Sequence, residues 1–533
     1  MLASPQKKKY MKEELSIHWS AARRHEATGD LQAAKAEYEA MLAIEPMQVT
    51  PQLRLSRFAQ MSDRYVESRT HALHASRIAT TAHLSRDAGY ISLRLLAFAE
   101  NAEVTRLIGV LDTSDPEVLK QSAVFAQHLW LVGEHDRALE FLGRVGARVR
   151  PNHLLSYTRA NVLRSLGRLE EATEHYEYAL RLSPHYADAH WSLAYHQPAA
   201  TPGARIPRIR AAASHYPADS LEQARLCFAL FKELERVGDT AAAWDALMQG
   251  AGIMRGKLGH DIAREAGQLS RLKAFHGDSI ETVRSERGGQ PIPIFIVGMP
   301  RTGTTLLDRI LGNHPRVVSL GERNDFDAAI SEASDHFFPG SLVETRWDKL
   351  RTMDHRKAGA LYLQRVSPFV QGDGFFIDKN PQNFFNIGLI LRALPQARIL
   401  CLRRDPMDAC FSNLKELFEG GAYPYSYGME ELAAHHGVFE DLLAHWQRVA
   451  TESVHVVRYE DLVVDGEETL RKALAFCGLE AAPGMLDITA NQAPVSTASS
   501  SQVRQAIHAQ GIGAWKRYSQ QLEPLQRLLE KAP

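Results

Sequence analysis

Residues 291–305 read PIPIFIVGMPRTGTT and run on into LLDRILGNHP at 306–315. An apolar run from Ile294 to Val297 stops at Gly298, a short loop crosses to Gly303, and Leu306, Leu307, Ile310 and Leu311 follow at helical spacing. The pattern predicts a strand, a glycine-bounded turn and a helix whose amino end faces that turn. The first turn of a helix leaves its N–H donors unused and carries the positive end of the dipole, so the turn suits an anion. The frame GxxxxG matches the phosphate loop of nucleotide-hydrolysing enzymes, yet Thr304 stands where their lysine belongs. The loop asks for an anionic ligand that dispenses with that lysine.

Beyond this stretch, short β-branched runs alternate with helical segments: Phe375–Ile377, Arg398–Leu402 and Val454–Val457. Such alternation predicts a mainly parallel α/β sheet, whose ligands bind outside the carboxyl ends of the strands. The first strand delivers Arg301, Thr302, Gly303, Thr304 and Thr305, and the second delivers Asp378, Lys379 and Asn380 in FFIDKNP. The third delivers Arg403, Arg404 and Asp405, with Ser412 in the helix that follows. The fourth delivers Arg458, Tyr459, Glu460 and Asp461 in VVRYEDL. Taken singly, each has a plain structural reading: an Arg-Asp-Pro at a strand end is commonly a local salt bridge, and YEDL a capped helix start. On four successive strand ends they gather cations and hydroxyls along one sheet edge. A ligand with more than one anionic group is implied.

The first half of the chain is written differently, rich in alanine, leucine and arginine. Gly29, Gly133, Gly167 and Gly238 are each followed five residues on by an alanine: Ala34, Ala138, Ala172 and Ala243. After Gly29 come Tyr38, Leu42 and Pro46, and after Gly167 come Tyr176, Leu180 and Pro184 at the same offsets. A glycine permits the tight turn between two helices, the alanine lets them approach, and the tyrosine and leucine fill the seam. The pattern resembles the tetratricopeptide repeat. Stacked units of that kind form a superhelix whose concave face suits a peptide or protein acceptor. An array that pairs two copies of the chain as a homodimer, or braces the second domain, is the alternative. The expected layout is multidomain: an all-α helical domain over 1–275, a linker over 276–291 in HGDSIETVRSERGGQPIP, and an α/β P-loop-like parallel-sheet domain over 292–533.

Composition narrows the classes. With 533 residues the chain exceeds one core, and 62 Lys and Arg against 63 Asp and Glu give no case for a nucleic acid or an anionic membrane. Cys227, Cys401, Cys410 and Cys477 are far apart and suggest neither a disulfide framework nor a zinc site. HALH at 71–74 and His435-His436 lack carboxylate partners at ligand spacing, so no metal is expected. The amino terminus lacks the apolar core of a signal peptide and no stretch reads as a membrane span, so the expected location is cytoplasmic.

The last 240 or so positions resemble the sulfotransferases that use 3′-phosphoadenosine-5′-phosphosulfate, most closely the bacterial tetratricopeptide-sulfotransferases and the tyrosylprotein-type enzymes. The resemblance rests on PRTGTT as the 5′-phosphosulfate loop and on Arg404 and Ser412 as the pair that holds the 3′-phosphate. It implies that Arg301, Thr302, Gly303, Thr304 and Thr305 bind the donor, with Tyr459 beside the adenosine and no metal required. It also implies Glu322, in SLGERNDF, as the base that takes the acceptor proton, and Lys379 and Arg301 as cations for the transferring group. Ser499 corresponds in spacing to a serine at the sulfuryl end. The chain departs from the cytosolic members, whose Arg-Lys-Gly before the last tryptophan is His508, Ala509 and Gln510 here; Arg504 and Lys516 are the candidate substitutes. The favoured acceptor is a peptide or protein tyrosine. A small molecule or carbohydrate acceptor, a P-loop kinase or NTPase, and a non-enzymatic repeat scaffold are the rival readings.

Overall fold

The structure is a computed structural model that describes residues 5–277, 280, 289–370, 372, 374–495, 500 and 502–531. The chain divides into two compact units, one of residues 1–150, 327–338 and 348–353, the other of residues 151–326, 339–347 and 354–533.

In the first unit, helices from Pro5–Thr28 to His135–Gly146 follow one another through short turns. Gly29 and Gly133 end their helices in the left-handed region, with φ of 79° and 86°, a conformation that costs an L side chain. The repeat alanine and tyrosine fill the seam as expected: Ala34 and Tyr38 pack with Ala22, Met41, Leu55 and Phe58 in one buried cluster. A later part of the chain joins this unit. The ring of Phe337 lies 5.1 Å from that of Tyr65, itself 5.2 Å from Phe98. Asp63 accepts a hydrogen bond from the Phe337 N–H at 3.0 Å and meets His336 Nδ1 at 2.7 Å. Residues 327–338, only a few positions past Glu322, are therefore built into the helical unit.

The second unit combines helices from His153–Ser165 to Ile262–His276 with a five-stranded sheet. The strands are β1 (Ile292–Gly298), β2 (Val317–Ser319), β3 (Phe375–Lys379), β4 (Arg398–Arg403) and β5 (Val454–Arg458). Their order is β2-β3-β1-β4-β5 and every pairing is parallel. The three central strands are buried on both faces, which is why they read as continuous apolar runs rather than alternating ones. β2, three residues long, is too short to stand out in the sequence. The chain leaves β1 towards β3 on one side and returns to β4 on the other. That reversal opens a crevice at the carboxyl end of β1, where open α/β sheets bind ligands.

The repeat-type helices of this unit are fastened to the sheet's helices by pairs that run from exposed to buried. Arg255 meets Glu431 at 2.7 Å, Lys273 meets Asp441 at 2.8 Å, and Glu265 meets His435 at 2.6 Å. The hydroxyl of Tyr195 donates to the carbonyl of Lys415. Gly388 leaves room for His276, whose ring would lie 2.3 Å from a Cβ at that position. Among the described residues no helix is long and apolar enough to cross a membrane.

Candidate active site

At the end of β1 the chain turns through two glycines that their neighbours require. Gly298 has φ of 145°, and a Cβ there would come within 2.7 Å of the Leu402 carbonyl; Gly303 has φ of 102°, and a Cβ there would meet the Tyr459 ring at 2.6 Å. Between them Arg301 is itself left-handed at φ of 66°, a strained state that persists only when the surroundings impose it. Three hydrogen bonds do so. Arg404 Nη1 donates to the Arg301 carbonyl at 2.8 Å, Asn413 Nδ2 to the Pro300 carbonyl at 2.9 Å, and Thr302 Oγ1 to the Met299 carbonyl at 2.7 Å. The helix Thr304–Gly312 then begins with Gly303, which has no side chain to offer, at its cap position. The amino end of a helix carries the positive end of the dipole, which suits an anion.

These residues open onto a cavity of about 540 Å³ within the second unit. Arg301, Gly303, Thr304, Thr305, Glu322, Arg404, Ser412 and Tyr459 all line it, so four strand ends converge on one space. Arg404 lies over Tyr459, its Cζ 4.4 Å from the ring centroid, and its second terminal nitrogen donates to the Gly511 carbonyl. The adjacent arginine at 403 points elsewhere, to Glu440 at 2.9 Å. Ser412, buried, sits two turns into the helix Pro406–Leu414, which Asp405 caps.

Lys379, at the end of β3, is 1% exposed and forms an ion pair with Glu322, whose side chain is 48% exposed. Gly321 draws the two together by accepting the Lys379 N–H at 3.0 Å. A half-exposed carboxylate on a buried ammonium is a base and a cation held at one point. Asp378 lies under the site and is not part of it: Tyr362 donates to its carboxylate at 2.9 Å and Asn383 at 3.3 Å.

Two expected donor residues sit away from the cavity lining. Thr302 is buried in its own loop through the bond to Met299. Arg504 turns to the repeat-type helices instead, donating to the Ser165 carbonyl at 2.8 Å and covering Gly167, where a Cβ would touch its guanidinium at 2.3 Å. A helix end leaves carbonyls without intrahelical donors, and this one accepts from both Arg504 and the Val495 N–H, the latter at 2.9 Å. Ser499 lies outside the described residues.

The cavity also holds groups that the strand ends did not announce. Lys415, one turn beyond Ser412, lines it with Glu416, which pairs with Arg301 at 3.6 Å. Burial pushes the Lys415 pKa down to about 7, with Lys232, Arg301 and Arg404 adding to the effect and Glu235 opposing it. Burial pushes the Glu416 carboxyl up, against the pull of Arg301. His508 and Gln510 line the cavity too, in the places where cytosolic relatives carry arginine and glycine, and so do Ala422 and Tyr423 from the aromatic stretch at 420–428. Among the described residues there is no cluster of His, Cys, Asp and Glu that could hold a metal ion.

Residues 293–483 match the family model described as Sulfotransferase family, and residues 160–197 match the TPR repeat. An uncharacterized protein of Aquifex aeolicus (strain VF5) is 27% identical over 311 residues, covering 57% of this chain and 41% of the relative. A protein-tyrosine sulfotransferase of Drosophila melanogaster is 22% identical over 220 residues, covering 40% and 44%. The chain thus spans less than half the length of these curated relatives. Among solved structures, the sulfotransferase domain from the curacin biosynthetic pathway aligns at 17% identity and a TM-score of 0.26, over 44% of this chain and 99% of that one. Sulfotransferase STF1 from Mycobacterium tuberculosis H37Rv aligns at 15% identity and a TM-score of 0.26, over 57% and 98%. The chain carries a sulfotransferase-family domain on the parallel sheet that builds the cavity, together with a tetratricopeptide repeat.

Proposed function

We propose that the cavity binds 3′-phosphoadenosine-5′-phosphosulfate and that the chain moves its sulfuryl group to an acceptor hydroxyl, the favoured acceptor being a peptide or protein tyrosine. The observation that carries this reading is the glycine-bounded amino end of Thr304–Gly312 sharing one cavity with Arg301, Arg404, Ser412 and the carboxylate of Glu322. Two separated anion sites suit a nucleotide with phosphates at both its 5′ and 3′ positions. The loop N–H groups, with the hydroxyls of Thr304 and Thr305, would hold the 5′-phosphosulfate, and Arg404 and Ser412 the 3′-phosphate. Tyr459, under the Arg404 guanidinium, would face the adenosine.

In the transfer, the acceptor oxygen attacks sulfur in line while the bond from sulfur to the 5′-phosphate oxygen breaks. Glu322 takes the proton that the acceptor oxygen loses. Lys379 exchanges its partner Glu322 for the sulfuryl or bridging oxygen, where negative charge collects, and Arg301 supplies a second cation. The strain at Arg301 is then part of the positioning, because a relaxed arginine would turn its carbonyl away from Arg404. The tyrosine acceptor is supported by the place of Glu322 and by the relative named a protein-tyrosine sulfotransferase.

The test is a panel of tyrosine peptides, simple phenols and sugars incubated with the purified chain and the donor, read by mass spectrometry. A sulfuryl mass gain on tyrosine peptides supports the whole reading. Gain only on phenols or sugars moves the acceptor, and no gain with any of them contradicts the transfer.

A further inference from the structure

Two residues of the cavity wall come from the repeat-type helices and not from the sheet: Arg164, in His153–Ser165, and Trp191, in Ala187–His196. They are 5% and 9% exposed. Among the described residues, Arg164 Nε and Trp191 Nε1 have no hydrogen-bond acceptor. Arg164 Nη1 meets His196 Nε2, but that ring is no counter-ion. Burial first, then the cations Arg164, Arg301, Arg236 and Lys232, hold the His196 pKa well below its ordinary value, so the imidazole is neutral. The nearby carboxyl of Glu416 is engaged by Arg301. Lys415, on the same stretch, sits among Lys232, Arg301 and Arg404 and faces Glu235. Glu419, also on the cavity lining, is exposed, and two N–H donors of this wall, Arg164 Nε and Trp191 Nε1, are unused.

A buried guanidinium without a carboxylate partner costs free energy in the empty protein, and an entering anion removes that cost. In the reading above the nucleotide has its anion sites at the loop, at Arg404 and at Ser412, which lie after β1 and β4 and in the helices that follow them. Resting on the sulfuryl transfer put forward above, we propose that Arg164 and Trp191 form an acceptor subsite that receives a carboxylate carried by the acceptor. The repeat-type helices then select the acceptor by building part of its pocket.

The test compares one phenol with and without charge. The full chain, saturated with 3′,5′-adenosine bisphosphate, is titrated with 4-hydroxyphenylacetate and with 4-hydroxyphenylacetamide. The carboxylate is expected to bind about tenfold more tightly, and Arg164→Gln to erase that margin while bisphosphate affinity stays within about twofold. Trp191→Phe keeps the ring and deletes the N–H, so a smaller loss in the same direction is expected. Arg164→Lys should restore part of the margin. Equal binding of the two phenols by the wild type, or a margin that survives Arg164→Gln, overturns the proposal. So does a fall in bisphosphate affinity in that variant, which would give the arginine to the donor. If the bisphosphate binds nowhere, the donor reading fails instead, and the same phenol pair titrated into the unliganded chain still decides the subsite.

Discussion

Gly29, Gly133 and Gly238 close turns between repeat-type helices at φ of 79°, 86° and 80°, and a Cβ built on any of them meets nothing within 4 Å. Gly298 and Gly303, at the end of β1, are also at positive φ, but a Cβ there would strike the Leu402 carbonyl and the Tyr459 ring at 2.7 and 2.6 Å. The repeat glycines serve the path of the backbone alone. The loop glycines serve it and also let two neighbours close on the loop, which is how the amino end of Thr304–Gly312 comes to face the same space as Arg404. Gly167 belongs to the repeat series by sequence and to the second kind by surroundings, because Arg504 lies on it. A glycine's role is thus set by what crosses it.

Changes on the loop side should reach function, and changes at the repeat turns should reach stability alone. The largest expected effect is on turnover: Glu322→Ala should lower kcat by about a thousandfold, the scale of a lost general base, with bisphosphate affinity nearly intact. Parallel loss of both would make Glu322 a structural residue. Next, Gly303→Ala adds a strained left-handed residue and a clash with Tyr459, together about 3 kcal/mol, and should weaken bisphosphate binding roughly a hundredfold. Binding at the wild-type level by that variant would break the contrast between the two kinds of glycine.

Arg404→Ala removes a charge-assisted partner worth roughly 1.5–3 kcal/mol and should weaken bisphosphate binding by about ten- to a hundredfold. A smaller effect is expected from pH. Lys415 has a folded-state pKa pushed down to about 7, mainly by burial, below the ordinary range of an unfolded lysine. In the empty protein it is charged only below about pH 7, whereas an anion in the cavity favours the charged form. Bisphosphate affinity should therefore decline as pH rises above about 7, and Lys415→Met should flatten the decline. For the empty fold the sign is opposite: the unfolded chain binds the extra proton above pH 7, so this group makes stability rise with pH up to the ordinary lysine range. The smallest effect belongs to Gly29→Ala, a loss of about 1 kcal/mol in thermal or denaturant unfolding with no change in bisphosphate affinity.

What could be read from the sequence follows the same division. The loop, Arg404 and Ser412 are local patterns: a strand end places them, and strand ends were marked by apolar runs such as Arg398–Leu402 inside the observed Arg398–Arg403. The repeat turns were legible because glycine and alanine recur at a fixed offset, and Ala34, Ala138, Ala172 and Ala243 are all buried. Arg164 and Trp191 gave no such signal. They reach the cavity across more than a hundred residues of chain, through fastenings such as Glu265 to His435 that have no local pattern. Lys415 reads as a solvated lysine at a helix end until Phe411, 4.8 Å from its Nζ, and Lys232 are seen beside it. Arg504 looks like a phosphate ligand from its position before the last tryptophan, and only its bond to the Ser165 carbonyl, distant in sequence, shows where it goes. Residues 327–338 carry an ordinary helical pattern that says nothing of Asp63 or Tyr65.

Everything proposed for this site requires the loop at Gly303 to hold a nucleotide carrying both 5′ and 3′ phosphates through main-chain N–H groups without a metal. Calorimetric titration of the full chain with 3′,5′-adenosine bisphosphate in a chelator, beside ATP with magnesium, tests it most directly. Saturable, one-site binding of the bisphosphate that the chelator leaves unchanged is expected, with at least about tenfold weaker binding of ATP. Tighter binding of ATP that requires magnesium, or no binding of the bisphosphate, would contradict it.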